Sequence, residues 1–262
     1  MDVLPIYLAL GAFAGLIAGL FGVGGGLIIV PVLSLLFETQ GMSGAVFVHL
    51  AIGTSLTTIV VTSVSSTWAH HRHGAVQWGM VRGLSVGIVI GALLGAVIAY
   101  VLPTRILRIV FGVFELAVAA QIGLNLMASA HRRLPGQPML TVAGIVIGAL
   151  SSVVGIGGGT LTVPFLAWCN VSIRRAVATA SACGFPISLA GAVGFIVTGW
   201  GVTALPEWST GYLYWPAFAG IAATSLLFAP FGARLAHRLP VNVLRRIFAG
   251  FLTILGVRML VG

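Results

Sequence analysis

The 262-residue chain contains no lysine, only four acidic residues (Asp2, Glu38, Glu115 and Glu207) and only two cysteines. Without lysine there is no Gly-Lys-[Ser/Thr] phosphate loop, so ATP-hydrolysing machinery of that kind is excluded. The scattered acids form no paired carboxylates for acid–base chemistry. Neither His-Glu-x-x-His nor a Ser–His arrangement at a recognisable spacing is present, so nothing points to an enzyme. Cys169 and Cys183 both fall in apolar stretches and suggest neither a disulfide framework nor a metal site. No metal or cofactor is expected. Charge of either sign is scarce, at 6% of residues, where a soluble domain carries about 25%.

Apolar residues fill that gap: 59% of the chain is hydrophobic, and the mean hydropathy is +1.13. A soluble core of this length needs far more polar surface, so the composition predicts an all-α polytopic membrane protein with no soluble domain. The start, Met1-Asp2-Val3-Leu4-Pro5, lacks a basic stretch and predicts no cleavable signal peptide. All 13 basic residues are arginine, and the formal net charge is +9. In a bilayer protein such an excess reflects orientation, since arginines collect in cytoplasmic loops. No basic stripe or recognition module accompanies it, so nucleic acid is not an expected partner.

Two glycine clusters organise the chain. Gly22-Val23-Gly24-Gly25-Gly26-Leu27-Ile28-Ile29-Val30-Pro31 and Gly155-Ile156-Gly157-Gly158-Gly159-Thr160-Leu161-Thr162-Val163-Pro164 share the form G-[VI]-G-G-G-x-[IL]-x-V-P, 133 residues apart. Further landmarks repeat in the same order: His73–Trp78 resembles Thr210–Trp215, and Leu102-Pro103 with Leu107, Arg108 and Phe111 resembles Leu239-Pro240 with Leu244, Arg245 and Phe248. This argues for duplication into a first repeat over residues 1–130 and a second over 131–262. Apolar stretches lie near 6–37, 44–68, 78–101 and 105–128, then near 139–169, 175–200, 212–235 and 241–261. Most match one bilayer span, about 20 residues. The two glycine-bearing stretches are too long: as one helix of about 32 residues each would reach about 48 Å, against about 30 Å of hydrocarbon. Each is therefore expected to be a Gly-broken helical hairpin, re-entrant or bent, followed by three spanning helices.

The arginines discriminate between topologies. If each glycine stretch crosses once, Arg72, Arg82, Arg132, Arg133 and Arg258 fall on one side and the other eight opposite. If each enters and leaves on one side, ten share a side, and only Arg105, Arg108 and Arg258 lie opposite, with Asp2, Glu38 and Glu207. The second arrangement obeys the positive-inside rule better. It implies inverted repeats with both termini outside.

Paired breaks at corresponding points of two halves point to a transporter's central site. A helix that restarts after glycines presents free N–H groups and a partial positive charge, which suits an anion. Two such tips at mid-membrane would hold an oxyanion without a buried basic side chain. Gly24, Gly25, Gly26, Gly157, Gly158 and Gly159 are therefore candidate substrate-binding residues. Gly11, Gly15 and Gly19, like Gly87, Gly91 and Gly95, read as helix-packing glycines.

The segment after each cluster is a second candidate wall, with Val48–Ser55 loosely aligned to Val177–Gly184. Thr54, Ser55, Ser181 and Cys183 are weak donors to an oxyanion, or hydroxyls bonded to their own helix carbonyls. His49, deep in the apolar pattern, is a candidate for substrate or proton binding, or a helix-contact histidine. His70, His71 and His73 flank Arg72 in an expected interfacial loop. Glu115 is the one acid inside an expected span and the proton-coupling candidate. A structural pairing with Arg108, seven residues away on the same face, is the alternative.

These residues resemble the TauE/SafE family of membrane transporters, the sulfite exporters, over essentially the whole chain. The resemblance rests on the two G-x-G-G-G-x-x-x-x-P motifs, on Ala51-x-Gly53-Thr54-Ser55 and on Gly74-x-Val76-x-Trp78. The family's motif positions correspond to Gly24, Gly25, Gly26, Pro31, Gly157, Gly158, Gly159 and Pro164. The second half departs from Gly-Thr-Ser with Ala182-Cys183-Gly184. The resemblance implies a secondary transporter in the bacterial cytoplasmic membrane, moving a small sulfur oxyanion such as sulfite or a sulfonate. An anion channel and a transporter of another small organic anion are the alternatives. The implied partners are the anion, a coupling proton and the lipid bilayer.

Overall fold

A computed structural model describes residues 3–21, 24–124, 134–236 and 241–261. Asp2, Gly22, Val23, Arg132, Arg133, Arg238, Leu239 and Pro240 lie outside the described residues. The chain is all-α. The first half holds α1 (Leu4–Phe21), α2 (Gly26–Thr39), α3 (Phe47–Arg72), α4 (Trp78–Val101) and α5 (Thr104–Gly123). The second holds α6 (Gln137–Val154), α7 (Gly159–Trp168), α8 (Ile173–Thr198), α9 (Trp215–Ala236) and α10 (Val241–Val261). Among the described residues, six helices are long and apolar enough to cross a bilayer: α3, α4, α5, α6, α8 and the Trp215–Gly232 part of α9.

Both glycine stretches break into two helices, as their length requires. The arms are unequal. The 18 residues of α1 and of α6 reach about 27 Å, close to a full span, whereas the 14 residues of α2 and 10 of α7 reach only about 21 and 15 Å. Pro31 and Pro164 each occupy the sixth position of the short arm. Lacking an N–H, each frees the carbonyl four residues earlier, which favours a short arm.

Helices α3 and α8 cross at the centre and are the most buried of the spanning helices. Around them the halves interlock: α1 lies along α9, and α4 along α6, so the first helix of each half packs on the fourth helix of the other. Small residues make these approaches possible. A Cβ on Gly87 or Gly91 would collide with the carbonyl oxygens of Thr141 or Ile145, and Gly11 and Gly15 sit as closely on Ile221 and Ser225. Helix-to-helix van der Waals contact is the main adhesive where lipid removes the hydrophobic drive. Gly91→Leu is therefore expected to lower the melting temperature of the detergent-solubilised protein by roughly 5–10 °C. Gly79→Leu on the same helix, where a Cβ meets open space, is expected to leave it unchanged.

Sequence periodicity does not announce the two-stranded hairpin β1 (Ser209–Thr210) and β2 (Leu213–Tyr214), paired Ser209 to Tyr214 and Thr210 to Leu213. Its inner residues plug the space between helices. Tyr214 meets Tyr7 and Phe37 edge to face at 6.3 and 5.6 Å, and Tyr212 stacks on His49 at 5.1 Å. His70 and His71, expected in a loop, instead complete the last turn of α3. Trp78 Nε1 donates to His71 Nδ1 at 3.2 Å, and the Arg72 guanidinium lies 4.8 Å over Trp68. Trp78 and Tyr100, both exposed, stand at opposite ends of α4. Their 22-residue separation spans about 33 Å, as interfacial anchors do.

Candidate functional site: the meeting of the glycine clusters

The two clusters touch through their backbones. A Cβ on Gly24 would lie 3.7 Å from Gly157 Cα, and one on Gly26 would lie 2.6 Å from the Gly155 oxygen and 2.9 Å from Ile156 Cα. Position 26 has no room for a side chain in this approach, whereas at position 24 the 3.7 Å spacing is ordinary contact and the left-handed backbone is what favours glycine. The turns themselves differ, despite their matching sequences. Gly24 and Gly25 are both left-handed (φ 80° and 78°) and lead directly into α2. In the second cluster the left-handed residue is Gly155 (φ 74°), which caps α6 while Ile156 N donates to Ser151 O at 2.9 Å. Gly158 is right-handed and opens α7.

The central helices close around the second cluster. Ser55 Oγ on α3 donates to the Gly155 carbonyl at 2.9 Å. On α8, a Cβ at Gly158 would lie 2.6 Å from Ala180 O, 2.9 Å from Gly184 N and 3.3 Å from the Cys183 carbonyl carbon. Gly26, Ser55, Gly155, Gly158 and the fully buried, reduced Cys183 thus belong to one locus. Gly25 and Gly159 adjoin it as the residues that start the two short arms.

Other sequence-selected residues face elsewhere. Thr54 Oγ1 accepts from Tyr214 N at 3.1 Å, and Thr179 Oγ1 accepts from Gln77 N at the same distance. Gln77 and Tyr214 are counterparts in the repeat, so these bonds equate Thr54 with Thr179, an offset of 179 − 54 = 125 residues. The loose alignment of this segment has an offset of 177 − 48 = 129, so the tertiary correspondence lies about one helical turn away. Ser181 Oγ donates to its own helix at Val177 O, 3.0 Å away. His49 Nε2 donates to the Ala99 carbonyl at 3.0 Å, and its buried Nδ1 has no partner among the described residues. Six residues before Ser55, it sits about 9 Å along α3 from the cluster contact.

Glu115 on α5 is completely buried, and both carboxyl oxygens lack a partner among the described residues. Arg108 does not pair with it. Its Nη1 lies 3.5 Å from Glu38 Oε1, and its Nε donates to Met259 O at 3.4 Å. Arg108, Arg258 and Glu38 line one pocket. This is the grouping of the arginine count in which each glycine stretch enters and leaves on one side; the other count separates Arg108 from Arg258.

Four hydroxyls that sequence reasoning passed over flank the second cluster. Ser151, Ser152, Thr160 and Thr162 are buried, and their oxygens have no partner among the described residues. Residues 133 positions earlier are Ala18, Gly19, Leu27 and Ile29, so the first cluster has no such set. The legible signal was the Ser-Ser pair just before the cluster and the alternating threonines just after it. Buried hydroxyls ordinarily find acceptors. Together with the free N–H groups of a helix start, these offer donors to an anion and no counter-charge.

Comparison with known proteins agrees over nearly the full length. The family described as Sulfite exporter TauE/SafE matches residues 7–259. A probable membrane transporter protein of Haemophilus influenzae is 36% identical over 253 residues, covering 96% of each chain. One from Methanocaldococcus jannaschii is 26% identical, covering 98% of this chain and 95% of its own. A third, from Bacillus subtilis, is 29% identical over 74% of this chain and 78% of its own. No solved structure matches the chain. With the glycine motifs, the all-α span pattern and this full-length match, the chain belongs to the sulfite exporter TauE/SafE family and is an integral membrane transporter.

Proposed function

We propose that this transporter moves a small sulfur oxyanion, such as sulfite or an organosulfonate, across the bacterial cytoplasmic membrane by alternating access. The anion is held where the two glycine clusters meet. The observation that carries this reading is the backbone contact between clusters from different halves; four buried hydroxyls without partners among the described residues lie close to the second cluster in sequence. With Gly24 against Gly157 there is no gap for an anion between those two backbones. Loading therefore requires the clusters to part, and their contact marks a closed stage of the cycle. The family's description as sulfite exporters supports the choice of sulfur chemistry.

The halves act as inverted repeats with both termini outside. In support, the counterpart helices α5 and α10 pack antiparallel, Gly112 against Gly256 and Gly123 against Ala249. Glu115 carries the coupling proton. It is an ionisable group in a spanning helix without any ion pair or hydrogen bond among the described residues, where a bare carboxylate costs several kcal/mol.

A ligand screen on purified protein tests the substrate site, comparing sulfite, sulfate, thiosulfate, taurine and sulfoacetate by thermal shift. A ligand at a hundred times its Kd stabilises by about 2.7 kcal/mol, enough to raise the melting temperature by several degrees. The double variant Thr160→Val, Thr162→Val is expected to bind that ligand at least tenfold more weakly, as loss of one or two hydrogen bonds to a charged group implies. Equal affinity in a variant of unchanged melting temperature would remove these hydroxyls from the site.

A further inference from the structure

We propose that the pocket between α2, α5 and α10 is a second anion-binding site, distinct from the glycine clusters. It takes a tetrahedral oxyanion of the sulfate or phosphate type, with Arg108, Arg258 and Ser34 as its ligands. The pocket is lined by Pro31, Ser34 and Glu38 of α2, Phe47 at the start of α3, Arg108 of α5, and Arg258 of α10 among others. Ser34 is eight residues past Gly26 on α2, about 12 Å along the helix.

Three features make the pocket a receptor for an anion. Two arginines and one carboxylate line it, leaving a net charge of +1 among its side chains. Arg108 has a side chain only 14% exposed, and it is held over the Phe47 ring at 5.8 Å and by the Met259 carbonyl. It is therefore a placed, largely desolvated fork. Arg258 is exposed and has no ion pair or hydrogen bond among the described residues. Ser34, at 2% exposure, lines the pocket with a buried hydroxyl that has no partner among the described residues. That hydroxyl is closed off from water while Glu38 rests on Arg108; departure of the carboxylate has to open it before it donates to an oxyanion opposite the arginines.

Glu38 already occupies the position of such a ligand. Its Oε1 rests on Arg108 Nη1 at 3.5 Å, and its side chain is 40% exposed. A tight charge-assisted bond would be about 2.7–2.9 Å, so this pair is loose and open to exchange. An incoming oxyanion displaces the Glu38 carboxylate into solvent, takes its place on Arg108, and recruits Arg258 and Ser34. The site is on the face to which Arg105, Arg108, Arg258 and Glu38 are assigned, at the membrane–water boundary. Either a free inorganic oxyanion or the phosphate of a lipid headgroup meets this chemistry.

Phenylglyoxal labelling of arginines, mapped by mass spectrometry, reads this site without any transport. The full chain is placed in discs of zwitterionic lipid and titrated with sulfate, and Arg82, exposed on another surface, serves as the control. Sulfate at ten times its Kd is expected to slow modification of Arg258 about tenfold and that of Arg82 not at all. Glu38→Gln, which removes the competing carboxylate, is expected to lower the half-protecting concentration at least threefold. Ser34→Ala is expected to raise it by a similar factor. Protection by sulfate identifies a free oxyanion as ligand. Protection only in discs that contain phosphatidylglycerol identifies a headgroup. Absence of protection in either disc, or protection that Glu38→Gln and Ser34→Ala both leave unchanged, overturns the proposal. Because the reading is local to Arg258, failure of the glycine-cluster site leaves this result untouched.

Discussion

Gly158→Ala is expected to reduce anion flux in proteoliposomes by about a hundredfold or more, with Gly26→Ala close behind. The new methyl group at position 158 would lie 2.6 Å from the Ala180 oxygen and 2.9 Å from the Gly184 nitrogen. At position 26 it would meet the Gly155 oxygen and Ile156 Cα at 2.6 and 2.9 Å. All four opposing atoms are backbone, so no rotamer change relieves the overlap. The short arm must move away from its neighbour by about 1 Å, and overpacking of this kind costs roughly 1–3 kcal/mol. A displacement of that size at a reacting or binding centre is worth about two orders of magnitude in rate. Gly44→Ala, whose Cβ meets open space, is the control and is expected to transport normally. Each variant's melting temperature separates misfolding from loss of the site. Flux at the wild-type rate through both Gly26→Ala and Gly158→Ala would end the case for the cluster contact as the substrate site.

Glu115→Gln is expected to abolish stimulation of flux by a proton gradient while leaving the fold intact. Glutamine matches the side chain in size and cannot lose a proton. Because neither carboxyl oxygen has a partner among the described residues, the exchange breaks no hydrogen bond or ion pair described here. Stability is expected to stay within about 1 kcal/mol of the wild type. The informative measurement is counterflow, in which labelled anion exchanges for unlabelled anion without net movement. Proton-driven accumulation should fall at least tenfold, whereas counterflow persists. If accumulation survives at full strength in Glu115→Gln, the coupling group is elsewhere. The leucine at position 252, which occupies the corresponding place in the second half, is buried as completely as Glu115. The duplication therefore provides a ready control, since Leu252→Ala should affect packing without touching coupling.

Helix positions were legible because they depend on apolar length and on glycine or proline interruption, both of which are local. The 133-residue glycine repeat foretold two broken stretches. Arg108, Arg258 and Glu38, which one of the two arginine counts groups together, line one pocket. The packing reading of Gly11, Gly15, Gly87, Gly91 and Gly95 follows from small-residue spacing alone, and the close approaches at those positions match it. Other features were not legible. Thr54 read as an oxyanion donor, paired by the loose alignment with Cys183, yet Thr54 and its tertiary counterpart Thr179 each spend the side-chain oxygen on a backbone N–H more than a hundred residues away. The ion pair of Arg108 with Glu38 crosses 70 residues and displaced the nearer candidate, Glu115. The hairpin at 209–214 has strands of two residues, too short for any periodicity to register.

By itself the sequence determined the membrane class, the duplicated breaks and the family, and it anticipated five of the six span-length helices, the exception being α6, expected as an arm of a broken hairpin. Each follows from composition or from a motif read along one strand of chain, where hydrophobic length and backbone freedom do not depend on neighbours. Tertiary structure alone decided which groups face one another. It placed the clusters of the two halves in backbone contact, gave Gly155 rather than Gly158 the left-handed turn, and left four hydroxyls beside the second cluster without partners. In an apolar chain the hydrophobic pattern says that a helix is buried and says little about which face meets which. That choice falls to close packing and to the few hydrogen bonds that side chains make between helices, and both depend on residues far apart in sequence.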